Sequence, residues 1–595
     1  MHFEALNLHI PPALIFILGA FLIPAFKGRA KAGYMLLLPV LAFITLVYTP
    51  LGEHWSLGFL SYELVLGKLD RLSRIFGIIF IGISFLSVLF ALKVEDDVQH
   101  TAGFAYAGGA LGVTFAGDLF SLYVFWEIMA VASTFLILAR RTPASRAAAF
   151  RYVMVHIFGG LCLLAGIVIY VQQNGTAAVA LMELSGPASI LIFLGVAVNA
   201  AIPPLHPWLS DAYPEATVTG AVFLSAFTTK SAVYVMARMF AGTELLIYLG
   251  MIMAAVSLLY AVLENDIRRV LAYTLINQVG FMICGVGIGT QLAINGAVSH
   301  AFSHILYKAL LFMSAGAVLH MTGKIKCTDL GGLYKTMPAT ALFCIVGAAS
   351  IAFPLFSGFV SKSMIISAAA HHKMALVWLV LQFASAGAFH QAGIKVPYSL
   401  FFGRDSGIRA KEPPWNMLMA MFAAAFLCIF LGIRFDLLYA LLPYTADYVP
   451  YTGAHVVGQL QLLMFAALAF FLPVLAGKYP SEIPAVNLDT DWFYRRGARA
   501  FAAWADAGLN RLNAACEAVF ARRLPLFLTY FFARLPAFLL CFFSRLFSRP
   551  EADKADTGGA GRLREAEAVV NGGLLPIGIN ALLAVVLFVL LFLML

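Results

Sequence analysis

Charge is scarce in this chain. Of 595 residues only 12% are Asp, Glu, Lys or Arg, while 62% are hydrophobic. Soluble domains carry about 25% charged residues, so a globule of this size could not cover its surface with so few. An aqueous enzyme, a nucleic-acid binder and a disordered protein are all excluded, and a polytopic membrane protein remains. Cysteine is scarce too: Cys162, Cys284, Cys327, Cys344, Cys428, Cys516 and Cys541 stand far apart with no Cys-x-x-Cys pair. That spacing excludes a disulfide scaffold and supports neither an iron–sulfur nor a zinc site, so neither metal nor cofactor is expected. A basic n-region and a small-residue cleavage site are missing at the N-terminus, so the first apolar run predicts a retained helix.

What is present is apolar sequence in long runs. About 15–17 segments approach the roughly 20 apolar residues that a bilayer core requires. The net charge of +9 would suggest nucleic acid in a soluble protein, but here it reads as basic loops on the cytoplasmic side. Counting crossings, one set of loops holds Lys27, Arg29 and Lys31, then Arg140, Arg141 and Arg146, then Arg268 and Arg269, then Lys324, Lys326 and Lys335. Alternate loops such as 173–187 hold no Lys or Arg, with 51–73 (Lys68, Arg71) a mild exception. This parity predicts an N-terminus outside and basic loops in the cytoplasm.

The chain divides into N-terminal helices (1–100), a first repeat (101–241), a second repeat (242–434) and an additional helix (435–489). A basic amphipathic region follows at 490–573, and a last helix at 574–595. Residues 490–549 interleave nine arginines, Arg495 to Arg549, with Phe, Trp and Leu, which suits helices on a membrane surface or along a partner.

A charge at the bilayer centre costs at least about 2.5–3.5 kcal/mol, so ionisable residues inside helices are the sharpest functional pointers. Glu127 lies well inside 118–139, Lys230 near the middle of 217–241, and His300, His304 and Lys308 form a ladder at four-residue spacing along 293–320. Lys395 follows His390 in 374–403 and is close enough to a helix end to snorkel. For His156 the plainer reading is a hydrogen-bonded packing residue. Acids, lysines and histidines spread over several helices suit a proton relay, because burial disfavours the charged form and neighbours can switch one another's protonation. Two apolar segments are broken by proline, at Ile202 to Ala212, which holds His206 and Asp211, and at Phe353 to Lys362. Freed carbonyls at membrane depth must be satisfied by protein or water, and paired broken helices mark ion paths in transporters.

Phe125-Trp126-Glu127, Pro204 to Ala212, Lys230 to Tyr234, Asp266 to Thr274, His304 to Phe312, Asp329 to Leu333 and Pro354 to Lys362 occur in order. Together they resemble the antiporter-like membrane subunits shared by Mrp-type cation/proton antiporters, respiratory complex I and membrane-bound hydrogenases, closest to the D-type subunits of Mrp antiporters. The resemblance implies an all-α bundle of about 14 core helices in two inverted five-helix repeats. It implies protons moving along a central axis, with Glu127 and Lys230 as acidic and basic partners, His304 and Lys308 on the axis, and Lys395 delivering protons outward. It also implies partner subunits in the cell membrane, with protons and Na+ as the candidate transported ions. Two positions depart from the pattern. Asn199 stands where the family has a lysine, and Asn277-Gln278 where a Ser-His or Ser-Gln pair is common. The expected function is therefore that of an ion-translocating antiporter component, with a proton-pumping arm of a redox complex and a structural docking component as alternatives.

Overall fold

A computed structural model describes residues 10–59, 62–477 and 489–547, with isolated positions at 561, 564 and 568. The expected linker and last helix (574–595) otherwise lie outside the described residues. Helices α1 (Pro12–Leu22), α2 (Gly28–Tyr48), α3 (Arg71–Ala91), α4 (Asp97–Phe115), α5 (Leu119–Leu138) and α6 (Pro143–Asn174) open the bundle. Next come α7 (Pro187–Asn199), α8 (Pro207–Ala212), α9 (Gly220–Ala226), α10 (Thr228–Met239), α11 (Glu244–Leu263), α12 (Ile267–Ile288) and α13 (Gln291–Thr322). They are followed by α14 (Pro338–Ala349), α15 (Ser357–His371), α16 (Ala375–Ala388), α17 (Trp415–Ile433), α18 (Phe435–Ala440) and α19 (Gly453–Leu475). Among the described residues, twelve helical stretches are long and apolar enough to cross a membrane, so the chain is a multi-pass integral membrane protein.

The described residues from Trp492 onward form a separate unit. Within it, α20 (Asp491–Cys516) passes through a π-helical stretch, Glu517–Arg523, into α21 (Leu524–Phe547). Most of its side chains are exposed, including Phe501, Trp504, Phe520 and Phe527.

The loop contacts explain the charge parity. Lys31 pairs with Asp97, Arg141 with Asp96 at 3.0 Å, and Arg140 with Glu215 at 3.1 Å. Buried Arg268 donates to the carbonyls of Tyr213, Ala216 and Thr217 at 3.0–3.1 Å, and Asp266 forms a β-bridge with Lys326. The basic loops are thus joined to one another at one end of the bundle. At the other end, Leu119 N–H donates to Ala177, Met182 N–H to Met239, and Gly242 N–H to Val286.

That second end holds the one β-sheet among the described residues. The segment expected as a loop at 51–73 pairs as an antiparallel hairpin, β1 (Gly52–Phe59) with β2 (Tyr62–Leu69). Val65 anchors it, donating to Asp118 Oδ2 at 2.7 Å and accepting from Gly117 N–H at 2.8 Å. The lysine that broke parity there is neutralised, since Lys68 lies 3.3 Å from Glu53.

Asp70 caps α3, accepting from Ser73 N–H, and is gripped by both terminal nitrogens of Arg238. Burial pushes its carboxyl up, but Arg238 and Ser73 outweigh this and hold it below its ordinary value. The sign follows: the stabilisation is complete above the unfolded carboxylate range, near about pH 3.9, and disappears as pH falls through the lower folded value. Asp70→Ala should cost about 0.5–2 kcal/mol, read as a lower melting temperature in detergent at neutral pH, with the difference from wild type closing in acid.

Candidate ion pathway

The segment 217–241, expected as one helix, is two. Phe227 leaves helical geometry (φ −101°, ψ −67°) and separates α9 from α10. No proline or glycine marks this break. Tyr106 of α4 holds it open, accepting from Thr228 N–H at 3.0 Å and sharing a 2.7 Å bond with the Thr228 hydroxyl. Lys230 therefore sits in the first turn of α10 rather than mid-helix. It is 0% exposed, and its Nζ donates to the Ser225 carbonyl across the break at 2.6 Å.

The ladder on α13 is as the spacing predicts. His300 and His304 rings are 6.1 Å apart, and Lys308 Nζ donates to Thr274 Oγ1 at 2.7 Å. Gln278 of α12 organises one flank: its Oε1 lies 3.0 Å from His300 Nε2 and accepts from the Tyr307 hydroxyl at 3.0 Å, while its amide donates to Asn277. Both ring nitrogens of His304 are buried without a hydrogen-bond partner. This ring lies within electrostatic reach of Lys230, Lys308, His300 and Lys362. Three helices, α10, α13 and α15, thus bring their titratable groups into one buried row.

Sequence reasoning missed Lys362 as a member of that row. It is buried on α15, its Nζ 3.5 Å from Ser385 Oγ and 5.1 Å from the centre of the Phe281 ring. The signal was available: a lysine inside an apolar segment directly after a proline break. A cavity of about 120 Å³ lined by Lys362, Gln382, Ser385 and His455 opens beside it. Its remaining wall runs towards the C-terminal end of α15 and the start of α16, the end away from the basic loops.

The two proline breaks are satisfied as membrane depth demands. Trp208 Nε1 donates to the Val198 carbonyl at 2.8 Å in the first, and Gln459 to the Ala352 carbonyl at 3.2 Å in the second. In the second, Gly432 of α17 admits the Leu355 carbonyl, which would lie 2.2 Å from any Cβ there. Asp211 is held by a bidentate pair with Arg151 at 2.7 and 2.9 Å. Asn199 ends α7 with both side-chain amide atoms buried and without a partner. His156 Nδ1 lies 2.8 Å from the Tyr152 carbonyl and its ring stacks on Tyr152, while its Nε2 is buried without a hydrogen-bond partner.

Two expected members stand apart. The segment 374–403 is α-helical only to Ala388 and continues as π-helix over Phe389–Lys395 and Tyr398–Phe402. This turns Lys395 onto the C-terminal carbonyls of α11, donating to Val262 at 3.1 Å and Glu264 at 2.9 Å. That position is the basic-loop end, beside a cavity of about 700 Å³ that Lys324, Arg404 and Asp405 also line. His390 contacts Gln391 and the Phe470 ring beside it.

Glu127 is half-buried, and no ion pair joins it to Lys230 among the described residues. Its Oε1 rests against α6 where Gly160 has no side chain; a Cβ there would lie 2.1 Å away. Glu127 shares an outward stripe of α5 with exposed Val124, Val131 and Phe135. Among the described residues no three His, Cys, Asp or Glu side chains form a metal-ligating group.

The chain is thus a membrane helix bundle that encloses a row of lysine and histidine side chains and holds two proline-broken helices. Residues 116–387 match the family described as NADH:quinone oxidoreductase/Mrp antiporter, TM. The chain is 32% identical over 401 residues to the D-type subunit of the Na(+)/H(+) antiporter of Alkalihalophilus pseudofirmus, covering 61% of this chain and 80% of that one. It is 31% identical over 410 residues to the A-type subunit from the same organism, covering 60% of this chain and 50% of that one. The chain thus spans about half the length of its A-type relative. Its fold matches a chain of the Mrp complex from Dietzia sp. DQ12-45-1b with a TM-score of 0.74 at 23% identity, over 92% of this chain and 64% of that chain. The chain belongs to the NADH:quinone oxidoreductase/Mrp antiporter family of membrane subunits.

Proposed function

We propose that this chain is the ion-translocating subunit of a multi-subunit cation/proton antiporter, moving protons along Lys230, His304, Lys308, His300 and Lys362. The observation that carries the reading is the buried row itself. Five titratable side chains from three helices would be costly in a membrane, and their unpartnered polar surroundings (both His304 nitrogens, Ser231 Oγ, Ser303 Oγ) suit partners that exchange. Lys362, rather than Lys395, is the group proposed to face the side opposite the basic loops. The basic loops are proposed to lie in the cytoplasm, in the cell membrane, by the charge parity. The two inverted repeats belong to the same proposal. The test is cation-dependent proton movement in everted vesicles holding the assembled complex; unchanged movement in both Glu127→Gln and Lys230→Met would sink the reading.

Partner subunits are supported by Glu127. A carboxylate on an apolar, outward stripe is unfavourable against lipid by at least about 2.5 kcal/mol, so the α5–α6 face is proposed to meet a neighbouring membrane protein of the complex. The basic region after residue 490 is a second proposed contact. Deleting 490–595 should lower the yield of intact complex after mild detergent extraction; normal yield would count against it.

A second reading, the proton-pumping arm of a redox complex, is favoured by the family's inclusion of NADH:quinone oxidoreductase. Electrons would then flow in other subunits. Co-purification separates the two: cluster-bearing partners favour the redox arm, and small antiporter subunits the first reading.

A further inference from the structure

Residues 489–490, beyond the 116–387 stretch that the family match covers, fold back onto the break between α7 and α8. The Thr490 hydroxyl donates to the Pro204 carbonyl at 2.8 Å. Next to it, Asp489 enters the protein. Its Oδ2 accepts from the Tyr273 hydroxyl at 2.8 Å, and its Oδ1 lies 3.3 Å from His206 Nε2, with both side chains only 4% exposed. Both ring nitrogens of His206 are buried without a hydrogen-bond partner, Nε2 meeting Asp489 as an ion-pair contact and Nδ1 on the opposite edge of the ring.

Other charged and titratable groups surround this pair. Tyr260 of α11 stacks on Tyr273 at 5.2 Å, with its ring 6.4 Å from that of His206. Asp491 lies within electrostatic reach of Tyr260. Glu264 and Arg269 face each other at 3.9 Å, and Asp211 is held by Arg151. Within the break itself, Asn199 cannot take up a proton, whereas an imidazole can accept one at one nitrogen and release one from the other.

We propose that Asp489 and His206 form a proton-relay pair at the basic-loop mouth of the first broken helix, with Tyr273 as the positioning residue that aims the carboxylate. This rests on the proton-pathway reading above. A proton taken up by Asp489 passes to His206 Nε2 while the ring releases its Nδ1 proton into the break. One proton enters and one leaves, the carboxylate is regenerated, and the neutral ring changes tautomer. A buried carboxylate that served only to strap the chain down would be an expensive choice, since the Thr490 hydroxyl already makes such a tether.

The experiment uses the whole complex in everted vesicles, with proton-coupled transport measured over a pH series and complex yield measured alongside. Asp489→Asn should lower the rate about tenfold or more and displace its pH profile, with Asp489→Glu restoring most of it. Thr490→Ala, which removes the tether and no titratable group, should leave rate and profile unchanged. A wild-type rate and profile in Asp489→Asn would overturn the relay, and so would an equal loss in Thr490→Ala. Should Asp489→Asn fail to assemble, Tyr273→Phe answers the same question: a displaced pH profile at normal yield supports the relay, and an unmoved one overturns it. Lys230→Met separates the two levels. If it abolishes transport while Asp489→Asn does not, the relay alone fails; if it too is silent, the pathway reading fails.

Discussion

Lys230→Met is expected to abolish proton-coupled transport in everted vesicles, by about a hundredfold or more, at unchanged complex yield. The expectation rests on how little the rest of the fold asks of this lysine. Its ammonium has one hydrogen bond, to the Ser225 carbonyl, and no ion-pair partner among the described residues. The break that places it is held by Tyr106 and Thr228, neither of which the substitution touches. Methionine keeps most of the volume and avoids the cavity that alanine would leave. What disappears is the titratable group that α10 contributes to the row, on the approach from the first broken helix to His304. A variant with normal transport would show that protons do not use this row.

Glu127→Gln should be nearly as damaging, for a different reason. Glutamine keeps the shape that fits against Gly160 but cannot exchange a proton. Because Glu127 lies on the outward stripe of α5, its counter-charge is proposed to come from a neighbouring protein of the complex. Two roles are therefore separable by experiment. A relay role predicts a rate per assembled complex reduced by about a hundredfold at normal yield. A docking role predicts lower yield with an unchanged rate per complex. The first outcome is expected, as for a group that feeds protons to the row without belonging to it, and a normal rate per complex would show that Glu127 carries no proton.

Local signals in the sequence went far with the scaffold. Long apolar runs marked the passes, because a bilayer imposes a length on every helix. Alternating loop charge gave the antiparallel order, and the loop-to-loop contacts from Lys31 to Lys326 follow it. Proline placed both broken helices, since it removes a backbone donor wherever it stands. The α13 ladder was legible because four-residue spacing fixes a common face. The hairpin at 52–69 was not, because two short strands need each other's hydrogen bonds and leave no long apolar run.

Other features were decided at a distance. The Phe227 break depends on a tyrosine from α4, 122 residues away from Thr228 in sequence. The π-helical turn after Ala388 brings Lys395 to the Val262 and Glu264 carbonyls at the end of α11, a contact that spacing alone does not show. Lys362 looked like part of a broken-helix motif and joins the row only through the packing of α15 on α12, α13 and α16.

By itself, the sequence determined that this chain is a membrane bundle, which loops share an end, and which charges lie inside helices. Hydropathy, proline and spacing act over a few residues, and the sequence carries them in full. Only the tertiary structure decided which buried charges meet: Lys230, His304, Lys308, His300 and Lys362 in one row, Asp489 with His206, and Glu127 against α6 rather than beside Lys230. Those encounters join helices far apart in the chain, where a side chain's partner is set by helix packing rather than by its neighbours in sequence.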